Sequence, residues 1–151
     1  MTKRLANKTP YIILLIVAGI GLLDALYLTY QHYSGAGLIC NISHGCEQVL
    51  NSKYAVVAGV PVALLGIIFY LTVLLMVVYF LSNPARPKLL FVVGLVGFIS
   101  TVYLFYLQAF VIRAWCQYCL LSTLTSTVIF IISTLVMLKK NNKEGSDGSE
   151  A

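Results

Sequence analysis

Four cysteines are the residues of this sequence with the clearest potential for chemistry. They form two pairs of unlike spacing: Cys40 and Cys46 have five residues between them, whereas Cys116 and Cys119 form a C-x-x-C within W-C-Q-Y-C. Two thiols at such spacings can make a structural disulfide, supply part of a metal site, or exchange electrons as a redox dithiol. The choice depends on the elements that position the two pairs.

The composition is that of a membrane protein. Hydrophobic residues make up 60% of the chain and charged residues 10%, whereas soluble domains average about 25% charged residues. Four apolar segments reach the roughly 20 residues that a helix needs to cross a bilayer. They cover residues 11–30, 61–81, 89–110 and 116–138. We therefore predict an all-α membrane protein, a four-transmembrane-helix bundle. The first segment is too long for the apolar core of a signal peptide, so we expect it to be retained.

The basic residues predict the orientation of these helices. Eight of the ten lie on one side of the predicted spans, and cytoplasmic segments are enriched in Lys and Arg. They are Lys3, Arg4, Lys8, Arg86, Lys88, Lys139, Lys140 and Lys143. The protein is thus predicted to be a multi-pass protein of the cell (inner) membrane with both termini cytoplasmic. Basic residues at segment ends, rather than on one face, disfavour nucleic-acid binding.

The orientation divides the chain into predicted regions. Residues 1–10 form a cytoplasmic N-terminus, residues 11–138 the membrane domain, and residues 139–151 a polar tail that is expected to be disordered. Loop 31–60 and the short turn 111–115 lie on the periplasmic or extracellular side. All four cysteines then lie on that side, where an oxidising compartment permits disulfides.

Three interpretations of the cysteines compete: two structural disulfides, a metal site, or a redox relay. The gap between Cys40 and Cys46 is loose for zinc, which usually takes two short pairs of ligands. A structural bridge within C-x-x-C closes a very short loop and removes little unfolded-state entropy. Short bridges of this kind are more often reducible and catalytic, which favours the relay.

The predicted position of the C-x-x-C supports this interpretation. Cys116 falls at or near the N-cap of the fourth helix, where unpaired N–H groups and the positive end of the helix dipole favour a thiolate. Arg113 can add positive charge. Cys119 lies one turn deeper on the same helix face. One sulfur can therefore meet a thiol from the outer loop, while the other faces a hydrophobic electron acceptor.

The outer loop contains a predicted lid helix. Apolar residues recur after Cys46 at roughly helical spacing, which is typical of an amphipathic helix on the membrane surface. They are Val49, Leu50, Tyr54 and Val57. Gly59 is predicted to end this helix, and Pro61 to begin the second span, since proline is tolerated in a first helical turn. Such a lid would shield a site at the outer ends of the helices.

These motifs follow one another in a specific order. The chain has C-x5-C in the first outer loop, then Ser52, then G-x-P at the start of the second span followed by L-L-G, and C-x-x-C at the start of the fourth. The most similar stretch is C-E-Q-V-L-N-S-K-Y-A-V-V-A-G-V-P-V-A-L-L-G, residues 46–66. In spacing, order and topology the chain resembles the bacterial vitamin K epoxide reductase homologues, over all four spans.

The resemblance implies both a reaction and its participants. A separate thioredoxin-like (DsbA-like) protein on the outer side would be oxidised, and a quinone of the ubiquinone or menaquinone type in the membrane lipid would be reduced to quinol. Cys116 and Cys119 would be the redox centre, and Cys40 and Cys46 the shuttle that takes electrons from the partner. Ser52 matches a serine near the active site. We expect the quinone-side residues to be Cys119, Asp24, Tyr54 and Val62.

The sequence also departs from the family pattern at two positions. An asparagine that helps to bind the substrate in the vertebrate enzymes is matched here by Val62, and a tyrosine four residues after the C-x-x-C is matched by Thr123. Both differences favour a plain quinone over an epoxide as the substrate.

Asp24 is the only acidic residue within a predicted span. Ionisable residues in membrane helices are candidates for function. Asp24 could hydrogen-bond a quinone or relay protons to it. The alternative is a water-facing or helix-pairing group near the interface, and the sequence leaves both open.

Overall fold

A computed structural model describes the backbone of residues 2–35, 45–57, 59–82 and 87–147. Cys40 lies outside the described residues. The elements in chain order are α1 (Thr2–Ser34), α2 (Cys46–Leu50), β1 (Val56–Val57), β2 (Val60–Pro61), α3 (Val62–Ser82), α4 (Pro87–Tyr106) and α5 (Gln117–Asp147). A π-helical segment, Leu107–Ile112, continues α4. The described chain is therefore helical apart from a small antiparallel hairpin and its connecting turns.

Within these described ranges, four helices are long and apolar enough to cross a membrane. The apolar spans are Lys8–Ser34, Val62–Leu81, Lys88–Ile112 and Gln117–Asn142. Large hydrophobic side chains are exposed along all four, as expected for surfaces that face lipid tails rather than water. The predicted four-helix membrane bundle is confirmed.

The bundle is built around α1 and α5. Helix α1 packs against α3 on one side and α5 on the other, and α4 packs against α5, whereas α3 and α4 contact each other less closely. The main hydrophobic cluster lies between the helices. Its members are Leu14, Ala18, Ala25, Tyr70, Val73, Val77, Phe80, Leu90 and Ile129. Because the helices alternate in direction, α2, the hairpin and the start of α5 meet at one end, which we call the cysteine end.

Two helices extend beyond the limits that hydropathy predicted. Helix α1 begins at Thr2 rather than at residue 11, and α5 continues to Asp147 rather than ending at residue 138. Part of the tail that was expected to be disordered is therefore helical. Hydropathy reports only the part of a helix that lies in lipid, and once a helix is nucleated each further residue adds a hydrogen bond.

The lid helix is shorter than predicted. Helix α2 ends at Leu50, because the Ser52 hydroxyl donates to the Val49 carbonyl at 2.8 Å and so competes with helix continuation. The next residues form a turn and then the hairpin, in which Val57 pairs with Val60. Gly59 adopts a φ of 81°, a left-handed conformation that suits glycine in a tight turn. Val57 thus lies in a strand, and the second membrane helix begins at Val62, one residue after Pro61.

Candidate active site

The turn between α4 and α5 positions the C-x-x-C. The π-helical segment ends at Arg113, whose backbone is left-handed with a φ of 54°, an unusual conformation for a residue with a side chain. The chain then reverses, and the N–H of Leu120 donates to the Cys116 carbonyl at 3.0 Å as the first bond of α5. Cys116 is therefore the N-cap residue of α5, as the sequence predicted, with Cys119 in the first turn.

The two thiols of the C-x-x-C interact directly. Both are free, and the Cys116 side chain is fully buried. A hydrogen bond from the Cys119 thiol stabilises the Cys116 thiolate and lowers the pKa of Cys116 from 9.0 to about 7. The backbone N–H groups of Cys119 and Tyr118 lower it further, while burial opposes the shift. The first turn of α5, rather than the exposed Arg113, thus prepares Cys116 as the reactive thiolate.

This lowered pKa predicts how the reactivity of Cys116 depends on pH. In the fully reduced protein, we expect the alkylation rate of Cys116 to rise with pH, with its midpoint at about 7 instead of 9.0. The sign follows from ionisation: the thiolate is the nucleophile, so a lowered pKa gives a reactive cysteine at lower pH. Mass spectrometry of the labelled peptide measures the rate at each pH. A midpoint near that of an ordinary thiol would contradict this account.

Cys46 lies against the C-x-x-C from the lid. Cys46 and Cys116 are both fully buried in one small cluster with Val49 and Ala114. The approach is close because of Gly45: a Cβ at that position would lie 2.8 Å from the Trp115 backbone nitrogen. Cys46 is disulfide-bonded, so the structure holds an oxidised Cys46 beside a reduced C-x-x-C.

A cavity of about 490 Å³ lies between the helices below this cluster. Its volume is within the range of small-molecule sites, about 300–1,000 Å³. Cys119 lines the cavity, and so do three residues that the sequence analysis placed near the site, Ser52, Tyr54 and Val62. Cys116 is not among the lining residues. Cys116 belongs to the buried cluster around Cys46, whereas Cys119 packs against that cluster and also reaches the cavity.

One wall of the cavity reaches the outer surface of the bundle. Leu65 of α3 and Val96 and Tyr103 of α4 line the cavity, yet they are 44%, 59% and 55% exposed. This is the side on which α3 and α4 contact each other less closely. The cavity therefore lies next to the lipid-facing surface rather than deep within the bundle.

Asp24 is buried at the contact between α1 and α5, and it is 6% exposed. The Ser122 hydroxyl donates to one carboxylate oxygen of Asp24 at 2.6 Å, while the other oxygen, Oδ1, is buried without a hydrogen-bond partner among the described residues. Asp24 does not itself line the cavity, whereas Ser122 does. The structure therefore connects Asp24 to the cavity through one hydroxyl group.

The sequence analysis missed several polar residues that line the cavity, among them Tyr70, Gln108 and Ser122. The Tyr70 hydroxyl lies 2.7 Å from Thr125 Oγ1 and 3.2 Å from the Ser122 carbonyl, so it ties α3 to α5. The Gln108 side-chain oxygen accepts a hydrogen bond from the Cys116 backbone N–H at 3.1 Å. For Gln108, the available signal was an amide side chain within an otherwise apolar span.

A reduced dithiol between a disulfide-bonded lid cysteine and an apolar cavity, at one end of four membrane helices, defines a membrane thiol oxidoreductase. Residues 12–134 match the vitamin K epoxide reductase family, and the chain belongs to that family. It is also 32% identical, over 122 residues, to the thiol-disulfide oxidoreductase LTO1 of Arabidopsis thaliana. The matched region is 74% of this chain and 32% of that relative, so the chain spans about a third of the relative's length.

Proposed function

We propose that this protein transfers electron pairs from a thioredoxin-like protein on the outer side of the membrane to a membrane quinone. The observation that carries the proposal is the placement of the two C-x-x-C sulfurs. Cys116 is packed beside the oxidised Cys46, and Cys119 lines an apolar cavity of about 490 Å³. This placement suits a protein in which Cys116 exchanges with the thiols of the loop pair and Cys119 meets a hydrophobic electron acceptor in the cavity.

The electron path consists of two thiol–disulfide exchanges followed by quinone reduction. We propose Cys40, the only remaining cysteine in the sequence, as the disulfide partner of Cys46. The partner's dithiol reduces this loop disulfide and becomes a disulfide itself. The loop thiols next reduce the Cys116–Cys119 disulfide. Finally, Cys116 and Cys119 form their disulfide again and give two electrons to the quinone, which leaves as quinol with two protons.

The redox state of the cysteines in the structure corresponds to the stage just before quinone reduction. The loop pair is oxidised and the C-x-x-C is reduced. At this stage the dithiol holds the electron pair, and Cys119 faces the cavity that would hold the quinone. The Cys116 thiolate, with a pKa of about 7, can form the S–S bond with Cys119 as an electron pair passes from the dithiol to the quinone, which takes up two protons.

The cavity has the properties that a quinone ring and its apolar tail require. Most of its wall is apolar, and it includes Val62 and Tyr54 near the lid. Its side between α3 and α4 gives a route from the lipid. Ubiquinone and menaquinone both fit this chemistry. Val62 offers no hydrogen bond to an epoxide, and the Thr123 hydroxyl already donates to the Cys119 carbonyl at 2.9 Å, so a plain quinone is the proposed substrate.

Asp24 is proposed to supply a proton for quinol formation, acting through Ser122. The Ser122 hydroxyl lies between the buried carboxylate and the cavity. When Asp24 is protonated, the hydrogen bond between Asp24 and Ser122 reverses: the carboxyl group gives its proton to the serine oxygen, while the serine gives its own proton to the quinone oxygen. This relay explains why a carboxyl group is kept within an apolar bundle, where ionisable groups are costly.

Replacing Asp24 with asparagine is expected to lower the rate of quinol formation about a hundred-fold, the lower range for a lost proton donor. The exchange between the loop pair and the C-x-x-C should keep its rate, since asparagine has nearly the same shape as aspartate. Stopped-flow measurement of the two steps separates them. Thr29→Val is the matched control, because the Thr29 hydroxyl bonds the Ala25 carbonyl of its own helix. Equal quinol rates in the wild-type protein and the asparagine variant would exclude the relay.

The function can be tested with the full chain in lipid vesicles. Reduced thioredoxin-like protein and either ubiquinone or menaquinone are supplied, and the partner's disulfide and the quinol are measured together. We expect one quinol for each partner disulfide. Oxidation should require the partner on the side of the vesicle that corresponds to the cell exterior, because the basic residues predict cytoplasmic termini. Oxidation of the partner without formation of quinol would overturn the proposed function. Equal rates of partner oxidation from both sides of the vesicle would overturn the proposed orientation.

A further inference from the structure

Gln108 occupies an unusual place in the bundle. It lies on the π-helical segment Leu107–Ile112, it is 2% exposed, and it lines the cavity. π-Helical turns are rare and occur frequently at functional sites, where the wider turn redirects side chains. A buried amide side chain that faces a mostly apolar cavity is costly unless its polar atoms have partners.

Only one half of the Gln108 amide has such a partner among the described residues. Its oxygen accepts the hydrogen bond from the Cys116 N–H at 3.1 Å. This bond also fixes which way the amide is turned, because an N–H must meet the oxygen and not the NH2 group. The nitrogen, Nε2, makes no hydrogen bond within the described ranges. In the described part of the chain, the NH2 group of Gln108 is therefore a free hydrogen-bond donor at the cavity wall, on the same side chain that bonds Cys116.

Most serine and threonine hydroxyl groups of the cavity wall already donate their hydrogens to protein oxygens in this structure. Those of Ser52, Ser100, Thr101 and Thr123 donate to backbone carbonyls, and that of Ser122 donates to Asp24. Tyr70 is held by two hydroxyl groups and a carbonyl of α5, including the hydroxyl of Ser126. The remaining polar lining residues are partly buried or exposed. These are His32, Tyr54 and Tyr103.

We infer that the Gln108 amide nitrogen donates a hydrogen bond to a carbonyl oxygen of the quinone, and so fixes the ring beside Cys119. This inference rests on the proposed function and names a residue that recognises the substrate. The same side chain holds the Cys116 backbone by its oxygen. Gln108 thus sets the position of the quinone ring relative to the C-x-x-C, and a substrate without a carbonyl acceptor at this place would bind less well.

The expected result of Gln108→Leu is a quinone KM raised about tenfold, the effect of a lost hydrogen bond to a substrate. The kcat at saturating quinone should change much less, within about threefold. Binding without turnover can be followed by the quenching of the single tryptophan, Trp115, which directly precedes Cys116. Gln31→Leu is the matched control, because Gln31 is a glutamine of α1 that bonds Tyr27 and does not line the cavity.

Infrared spectroscopy of quinone labelled with ¹³C at its carbonyl groups provides a readout that a merely structural role would not change. In the wild-type protein, one carbonyl band should shift to lower frequency, and this shift should be lost in Gln108→Leu. If the leucine variant does not fold, Gln108→Glu keeps an oxygen for the Cys116 N–H. It should bind quinone when its carboxyl group is protonated and lose affinity as pH rises.

The outcomes separate this inference from the function on which it rests. Wild-type protein that forms quinol, together with an unchanged KM and an unchanged carbonyl band in Gln108→Leu, overturns the role of Gln108 alone. Wild-type protein that forms no quinol with reduced partner overturns the proposed function. A raised KM and a lost band shift in Gln108→Leu, with neither change in Gln31→Leu, support the inference.

Discussion

Replacing Cys119 with alanine is expected to abolish quinol formation, with a fall in turnover of at least about a thousand-fold, as for the loss of a covalent catalytic group. Without Cys119, the C-x-x-C cannot form its disulfide, so the electron pair has no route out. The cavity also loses the sulfur that lines its wall. Quinol absorbance in lipid vesicles, with reduced thioredoxin-like protein as the electron donor, measures this loss.

The same variant should change Cys116 in a second, independent way. The hydrogen bond from the Cys119 thiol is the largest cause of the lowered Cys116 pKa, so its removal should move the midpoint of Cys116 alkylation upward from about 7. Thr127→Ala, a small change further along α5, is the control and should affect neither measurement, because its hydroxyl bonds the Thr123 carbonyl of the same helix. Unchanged quinone turnover in Cys119→Ala would rule out the proposed relay.

Replacing Cys46 with alanine is expected to separate the two halves of the reaction. Turnover driven by the thioredoxin-like partner should fall about a hundred-fold or more, because the shuttle cannot pass electrons to Cys116. Turnover driven by a small dithiol should be retained within severalfold, because such a molecule can reach the C-x-x-C without the loop. The measurement is the ratio of the two quinol formation rates, each compared with the wild-type protein.

The control for this prediction loosens the lid without removing a sulfur. Val49→Ala removes an apolar group from the same cluster without removing a sulfur. Both of its rates should fall by the same modest factor if the lid is merely loosened. A Cys46→Ala protein in which partner-driven and dithiol-driven turnover fall equally would show that Cys46 supports the structure of the lid instead of carrying electrons.

Patterns along the chain predicted the parts of this molecule that depend on local composition. The four spans follow from long apolar runs, and the N-cap position of Cys116 follows from the point where the fourth run begins. Hydropathy could not predict the helical extensions, because residues 2–10 and 139–147 are largely polar. It also could not predict that α2 would end at Leu50, since the apolar spacing continues while the Ser52 side chain bonds back to Val49.

The contacts within the site could not be predicted from the sequence, because they join residues that are distant along the chain. The bond between Asp24 and Ser122 spans 98 residues, and the Tyr70 contact with Thr125 spans 55. The sequence left two roles open for Asp24, and the structure shows a buried group bonded to a neighbouring helix. The contact between Gln108 and Cys116 depends on the π-helical turn. No apolar pattern in the sequence predicts such a turn, so this contact could not be predicted.

The exposed cavity wall formed by Leu65, Val96 and Tyr103 has a consequence for how the enzyme's kinetics are expressed. In the proposed reaction, the quinone arrives between α3 and α4 from the bilayer, so the concentration that would determine its rate is its mole fraction among the lipids. Adding empty lipid or detergent at constant total quinone dilutes this substrate in two dimensions and raises the apparent KM. Preparations are therefore comparable only at the same ratio of quinone to lipid.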